Sequence, residues 1–260
     1  MYIIMEEFPI QFFLAFDSNS MIDEINLDLL TEEDKNKITL YSYHDKLPTN
    51  EYKIIYENEL TSFQPNFQKA QHKEASLIYH VYFSKEYTKY QYIGFGKHYT
   101  KITSKLLSII QYIVQHDYDF KTIYVNGFYP TFTNNILTGH HKIINNDYSV
   151  HGNRINIDSG LKLYNRIFNT NYTIDDVLEN KLIKTMTFMI SKGKFEKLMY
   201  FLSNYFYVKV KINIFEDTDL YNSYYFMEAL IGMFLSLEVK EGARYIVLSD
   251  LEKNVNDVGI

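Results

Sequence analysis

Residues 74–99, EASLIYHVYFSKEYTKYQYIGFGKHY, decide the fold. Apolar side chains recur at helical spacing in and before the first half of this stretch, and they predict a helix over residues 67–83. A short apolar run follows at residues 90–95 and predicts a buried strand, which ends in a polar turn. A helix that leads into such a strand is typical of α/β proteins, in which ligands bind outside the carboxyl ends of the strands.

The same alternation of short apolar runs and amphipathic segments continues along most of the chain. It predicts an α/β fold with a mostly parallel central sheet flanked by helices, in one domain of residues 1–260. The polar segment 130–160 predicts a long loop. The other predicted helices cover residues 103–115, 194–205 and 224–237, with one more beginning at Thr173. The other predicted strands cover residues 8–16, 38–43, 120–125, 185–190, 207–215 and 245–248, with a weak candidate at Ile54 and Ile55.

The composition excludes several classes of function. The 260-residue chain has a formal net charge of -6, and only three of its 26 basic residues are arginines, so the basic footprint of a nucleic-acid-binding protein is missing. Without cysteine there is no disulfide framework, thiolate metal site or cysteine nucleophile. No targeting segment and no apolar stretch of about 18 residues is visible. We expect a soluble intracellular protein without a transmembrane segment.

The polar turn after residues 90–95 is the first candidate ligand site. Gly96 would let a ligand approach the backbone, and Lys97 and His98 would offset the charge of a diphosphate. The alternative is an ordinary connection with solvated basic residues. Glu74, in the preceding helix, is a further carboxylate of interest, although an ion pair or an exposed helix face explains it equally well.

The order of these motifs resembles a family of glycosyltransferases found in capsular polysaccharide clusters and in large DNA viruses. Its members carry a Y-I-G-[FL] strand followed by a polar and aromatic motif, here YIGFGKHY at residues 92–99. Residues 185–202 are similar to a strand-then-helix segment of the family, and residues 224–238 to its late helix. The chain departs from the pattern where Thr100 and Lys101 replace paired arginines and where Ala229 replaces an arginine after a glutamate.

The resemblance implies a GT-A fold, a Rossmann-like α/β domain that binds a nucleotide-sugar donor. Residues at the end of the first strand would line the nucleotide pocket, and those after residues 90–95 would face the diphosphate. The segment 130–160 would cover the donor or receive the acceptor, and its histidines would contact the leaving diphosphate. The donor-binding residues assigned in this way are Phe16, Asp17, Glu74, Gly96, Lys97, His98, His140 and His141.

Metal ligands are the main departure from this pattern. In a GT-A fold the strand of residues 90–95 usually ends in Asp-x-Asp, which holds the divalent cation that bridges the diphosphate. Here residues 96–98 are Gly-Lys-His, so a cation supplied by the protein would replace the metal. No cofactor is required by the sequence, and Mn or Mg would be optional. Asp217 and Asp219, which follow the predicted strand 207–215, are weak metal candidates; Asp117 and Asp119 precede a strand, where no metal site is expected.

Glu228 is the candidate catalytic residue. It is the only charged residue between Asp219 and Glu238, near the start of the predicted apolar helix 224–237. A partly desolvated carboxylate beside a pocket can act as general base on an acceptor hydroxyl. Its alternative role is structural, because the helix dipole favours a carboxylate near a helix N-terminus.

The function that these features predict is a glycosyltransferase. It would move a sugar from a nucleotide-diphosphate donor, with a UDP-sugar favoured, to a hydroxyl of a glycan or protein, in the cytoplasm (the host cytoplasm for a viral protein). The first alternative is a non-catalytic GT-A-like binding or assembly module that has lost the Asp-x-Asp site. The second is a metalloenzyme that uses the histidines of segment 130–160, although no helical H-x-x-x-H spacing is present.

Overall fold

The chain forms a mixed sheet with helices on both faces. The computed structural model describes residues 10–16, 30–42, 52–56, 59, 74–97, 100–125, 148–150, 153–155, 157–179, 187–211, 219–248 and 250–251. The strands are β1 (Ile10–Phe16), β2 (Ile38–Ser42), β3 (Lys53–Tyr56), β4 (Tyr92–Lys97), β5 (Thr122–Val125), β6 (Tyr148–Val150), β7 (Asn153–Ile155), β8 (Phe188–Ser191) and β9 (Arg244–Val247). The helices are α1 (Glu32–Lys35), α2 (Glu74–Phe83), α3 (Ser104–His116), α4 (Ile157–Phe168), α5 (Ile174–Glu179), α6 (Lys192–Lys211) and α7 (Asp219–Lys240), and a 3-10 helix covers Glu86–Lys89.

The seven-stranded sheet has the order β3-β2-β1-β4-β8-β5-β9. All its pairings are parallel except the two made by β8, which runs antiparallel to β4 and β5. The predicted α/β class, with a mostly parallel sheet flanked by helices, is therefore confirmed. The sheet takes strands from both ends of the described chain, because β1 and β9 belong to it together.

Apolar side chains alternate along the central strands and fill one layer on each face of the sheet. In β1, Phe13 and Ala15 enter the layer beneath α2, α4, α6 and α7, whereas Phe12 and Leu14 enter the layer beneath α3. Every residue of β1 is buried, as the continuous apolar run of residues 8–16 predicts for a strand covered on both faces.

A buried ion-pair network joins α6 to α7. The carboxylate of Glu238, which is almost fully buried, accepts hydrogen bonds from Lys194 and Lys197, each at 2.6 Å. Lys197 also donates to Glu241 at 2.8 Å, and Glu241 accepts a bond from the buried Tyr164 of α4 at 3.2 Å. Because each buried charge has a partner, the network holds three helices together without an uncompensated charge.

The predicted strand over residues 207–215 is wrong for residues 207–211. Helix α6 continues to Lys211, and residues 212–218 lie outside the described structure. The alternation of valine and lysine suggested a strand, but extending an established helix costs little, because each further residue adds a hydrogen bond. Phe195, Leu198 and Leu202 are buried and anchor that helix. Lysines at its end also suit the negative end of the helix dipole.

The predicted loop 130–160 is wrong over its last part. Strands β6 and β7 pair antiparallel, with Val150 opposite Asn153, and α4 begins at Ile157. The sequence did not predict this hairpin, because each strand has only three residues and the neighbouring residues are rich in asparagine and histidine, which are typical of loops. Gly160 lets α4 approach α7 closely, since a Cβ there would lie 2.3 Å from Cδ2 of Leu230.

Helix α7 is longer than predicted. It begins at Asp219 and not near residue 224, so Glu228 lies in its middle turns. Across the described residues, neither α7 nor any other helix is long and apolar enough to cross a membrane.

Candidate ligand site at the carboxyl edge of the sheet

The chain reverses its direction of progress across the sheet between β1 and β4. From β1 it moves outward to β2 and β3, and it then crosses back to place β4 on the other side of β1. Strands β1 and β4 are parallel, with Leu14 opposite Gly96 and Ala15 opposite Lys97. Such a switch point leaves a crevice outside the carboxyl ends of the two strands, where α/β proteins bind ligands. We call this end of the sheet, where the parallel strands have their carboxyl ends, the carboxyl edge.

The structure brings several of the predicted donor residues to this edge. Phe16 and Lys97 end the adjacent strands β1 and β4. Helix α2 contacts both strands and runs back toward the start of β4, so its first residue, Glu74, lies toward the same edge. Four other predicted donor residues lie outside the described residues, and no placement follows for them: Asp17, His98, His140 and His141.

A threonine holds the turn that follows β4. The Thr100 backbone N–H donates to the Lys97 carbonyl at 2.8 Å, and the Lys97 N–H donates to Oγ1 of Thr100 at 3.1 Å. That hydroxyl also lies 3.1 Å from Oγ1 of Thr187, just before β8, and both threonines are buried. The backbone of Lys97 is thus held at its N–H and at its carbonyl, and its side chain is half-buried.

The two glycines of β4 are explained first by packing. A Cβ at Gly94 would lie 2.3 Å from Cδ1 of Phe12, so the neighbouring strand's ring occupies that space. A Cβ at Gly96 would lie 2.9 Å from both Cδ2 of Leu14 and Oγ1 of Thr100. Gly96 was predicted to admit a ligand to the backbone, but the chain's own side chains fill the space on its side-chain face.

Phe16 has a similar explanation. Its ring is fully buried in the apolar layer beneath α3, together with Leu30 and Ile38. The ring therefore packs in the core, and a contact between this position and a nucleotide would involve the backbone at the end of β1.

The opposite ends of the strands, the amino edge, carry a polar cluster around Asp117, which the sequence placed before a strand and excluded as a metal site. Asp117 follows α3 and is buried; its carboxylate accepts hydrogen bonds from the Tyr92 hydroxyl and from the Thr122 N–H, the latter at 2.8 Å. It also accepts a bond from Nη2 of Arg244 at 3.1 Å and a longer one from the Lys121 N–H at 3.4 Å. One carboxylate thus ties α3, β4, β5 and β9 together.

These bonds set the ionisation of the cluster. Burial would raise the pKa of Asp117, but hydrogen bonds from Tyr92 and Thr122 outweigh it, and the pKa lies below its usual range. Burial raises the pKa of Tyr92, and the hydrogen bond to the Asp117 carboxylate raises it further. Asp117 is therefore a saturated anion that stabilises the fold, and Asp119 of the same Asp-x-Asp match is exposed beside Lys121.

The remaining predicted site residues are Asp217, Asp219 and Glu228. Asp219 is the first residue of α7, and Asp217 lies outside the described residues. The strand predicted before them is helical over residues 207–211, and residues 212–218 lie outside the described structure, so a metal site at these carboxylates stays a prediction. In the part of the chain that the structure describes, no group of three or more His, Asp or Glu could hold a metal ion.

Glu228 is half-buried between the buried residues Met227 and Leu230. It lies about 18 Å along the helix from the Lys240 end, at 1.5 Å per residue. The helix dipole acts mainly within the first and last turns. Glu228 is in neither, so the structural role that was the alternative for it, as a carboxylate at a helix N-terminus, does not apply.

Comparisons with known proteins add no relative. The chain matches no protein-family model, no curated protein and no solved structure. The fold and the candidate site therefore rest on this chain's own residues.

Proposed function

We propose that this protein is a glycosyltransferase of the GT-A type, which moves a sugar from a nucleotide-diphosphate donor, a UDP-sugar favoured, to a hydroxyl acceptor in the cytoplasm. The observation that carries the proposal is the switch point between the parallel strands β1 and β4, with Lys97 at the end of β4. This is the position at which an α/β sheet binds a nucleotide. The motif order that resembles the glycosyltransferase family points to the same turn.

The local geometry supports a positioned cation at this edge. Thr100 and Thr187 fix the backbone on which Lys97 sits. A fixed backbone lowers the ordering cost of binding. An ammonium group at the end of a central strand would face the diphosphate and take over the charge neutralisation that a bridging metal supplies in other GT-A proteins.

Donor binding is the direct test. A ligand that binds only the folded state raises its stability by mass action. We therefore expect one of the UDP-, GDP- or TDP-sugars, at millimolar concentration, to raise the melting temperature, whereas a CMP-sugar, which has one phosphate, should not. Lys97→Ala should weaken that donor about tenfold or more, the worth of one charge-assisted contact. Lys101→Ala, an exposed lysine of the same connection, is the matched control and should leave affinity unchanged.

Metal dependence separates the two ways of neutralising the diphosphate. If Lys97 replaces the bridging ion, EDTA should weaken donor binding only slightly, and Mn²⁺ should restore little. Strict dependence on Mn²⁺ together with a tolerant Lys97 would contradict this assignment. It would then point to carboxylates outside the described residues, Asp217 among them.

The second candidate function is a non-catalytic binding or assembly module with the same fold. The observation that favours it is the Gly96-Lys97-His98 sequence where the family places its metal-binding carboxylates. A module of this kind would bind a nucleotide-sugar, or another ligand, without turnover. Release of free nucleoside diphosphate from a bound donor, with and without candidate glycan acceptors, distinguishes an enzyme from such a module.

A further inference from the structure

A cavity lies at the amino edge, at the opposite ends of the strands from the proposed donor site. It has a volume of about 600 Å³ and lies between the end of α3, the end of α7 and the edge strand β9. Pockets of about 300–1,000 Å³ are the usual size for small-molecule sites. Nothing in the proposed transfer reaction uses this cavity.

The walls of the cavity are apolar and aromatic. Ile113, Val239 and Ile246 form the apolar part. Tyr112 and His116, one helical turn apart on α3, form an aromatic wall, with ring centroids 4.5 Å apart. The position of the His116 ring is fixed, because its Nδ1 lies 2.7 Å from the Tyr112 carbonyl oxygen. A flat ring would therefore find both an apolar surface and an aromatic face to pack against.

Arg244 supplies the polar anchor. Its side chain is 71% exposed, yet Nη2 is held at 3.1 Å by the buried carboxylate of Asp117. Asp117 is itself fixed by Tyr92 and Thr122, so the guanidinium is oriented by a chain of buried groups. A guanidinium carries five N–H donors, and the bond to Asp117 uses one of them. The others are available for a planar acceptor such as a carboxylate.

The charges around the cavity select the ligand further. The cationic Arg244 disfavours a cationic ligand. The carboxylate of Asp117 and the C-terminal ends of α3 and α7, where helix dipoles are negative, oppose added negative charge, so one negative charge is tolerated better than two or more. A single carboxylate on a flat apolar body satisfies both conditions.

We propose that this cavity is a binding site for a small aromatic monocarboxylate. The ring lies against Tyr112 and His116, and the carboxylate accepts hydrogen bonds from Arg244. Two of the four exposed large apolar residues among the described positions line this cavity: Tyr112 and Tyr245. The site is independent of the proposed glycosyl transfer, since it lies at the amino edge and the proposed donor site lies at the carboxyl edge.

Binding of 2-naphthoate, followed by protein-observed NMR titration, tests the proposal. The neutral 2-naphthamide should bind more weakly, and 2-naphthylmethylamine and inorganic phosphate should not bind. Tyr112→Ala should weaken 2-naphthoate about three- to tenfold through the lost ring contact. Tyr118→Ala, which removes a more exposed tyrosine that does not line the cavity, is the matched control and should have no effect.

The anchor is tested separately. Arg244→Gln should weaken 2-naphthoate about tenfold or more. Arg244→Lys keeps a cation near Asp117 but loses the planar fork, and it should give an intermediate loss even if the glutamine variant folds poorly. The proposal would be overturned if both Arg244 variants bound 2-naphthoate as tightly as the wild type, or if the wild type bound 2-naphthylmethylamine more tightly than 2-naphthoate. A dimer in sedimentation that Tyr112→Ala dissociates would also overturn it, because the cavity would then be an interface between copies.

Discussion

The two edges of the central sheet use polar residues in opposite ways. At the amino edge, the carboxylate of Asp117 is buried and accepts bonds from four donors, and the cluster ties the fold together. At the carboxyl edge, the hydroxyl of Thr100 holds the backbone of Lys97, whose side chain is half-buried. The contrast shows why the Asp-x-Asp match at Asp117 does not mark a ligand site: other residues of the protein already donate hydrogen bonds to its carboxylate.

The largest expected effect concerns the chemistry of the proposed transfer. If Glu228 is the general base of the proposed transfer, Glu228→Gln should lower turnover by about 10²–10⁴-fold, since glutamine keeps the shape but cannot accept the proton. Donor affinity and the melting temperature should be unchanged. Turnover is measured as nucleoside diphosphate release, and melting is measured on the same preparation.

Unchanged turnover would remove Glu228 from the mechanism. A large drop in melting temperature would instead make it a structural carboxylate, held within α7 for packing reasons.

The next largest effect concerns the hydrogen bonds to Asp117 at the amino edge. Asp117→Ala should lower the free energy of unfolding by about 3 kcal/mol, because the buried Tyr92 hydroxyl and Thr122 N–H lose their acceptor. Asp119→Ala, in the same Asp-x-Asp match but exposed, should change it by less than about 0.5 kcal/mol. Urea denaturation of both variants gives the comparison. Equal losses of unfolding free energy in the two variants would show that the hydrogen bonds to Asp117 do not stabilise the fold.

A smaller effect loosens the carboxyl edge. Thr100→Val removes the hydroxyl shared by Lys97 N–H and Thr187, and it should lower the free energy of unfolding by about 1–2 kcal/mol. Thr100→Ser keeps the hydroxyl and is the control. Donor affinity should fall in the valine variant because the backbone that positions Lys97 is no longer fixed. A valine variant that binds donor normally would show that the turn does not position the site.

The smallest effect is the pH dependence of the amino edge. The folded-state pKa of Asp117 is lowered, so its stabilisation is fully present above the unfolded-state pKa of about 3.9 and is lost as pH falls through the lower folded-state value. Unfolding free energies measured in urea should therefore fall more steeply below about pH 4 in the wild type than in Asp117→Asn. Identical slopes would mean that another carboxylate dominates acid unfolding.

Continuous apolar runs predicted the core well. The strand containing Phe12 and Leu14 was placed correctly because a strand covered on both faces needs apolar residues at every position. Residues 207–211 show the limit: their alternation fits a strand, but the buried face of α6 outweighs this local pattern.

The candidate site was less predictable because its decisive contacts are distant in the sequence. Lys97 could be found from the end of its strand. Its support by Thr187 could not, since the two threonines that meet are 87 positions apart. The same holds for Asp117 and Arg244, which are 127 positions apart. The sequence placed Asp117 before a strand, but only the topology shows that Tyr92 and Arg244 donate hydrogen bonds to it.

The central place of β1 has a consequence for synthesis on the ribosome. It is the first strand of the described chain to be made, it is apolar throughout, and its neighbour on one side is β4, which ends at Lys97. At about 5–20 residues per second, roughly 4 to 16 s pass between completion of β1 and completion of β4. For that time one edge of the most apolar strand has no native partner, so the nascent chain is most exposed to aggregation, and most dependent on chaperones, near its amino terminus.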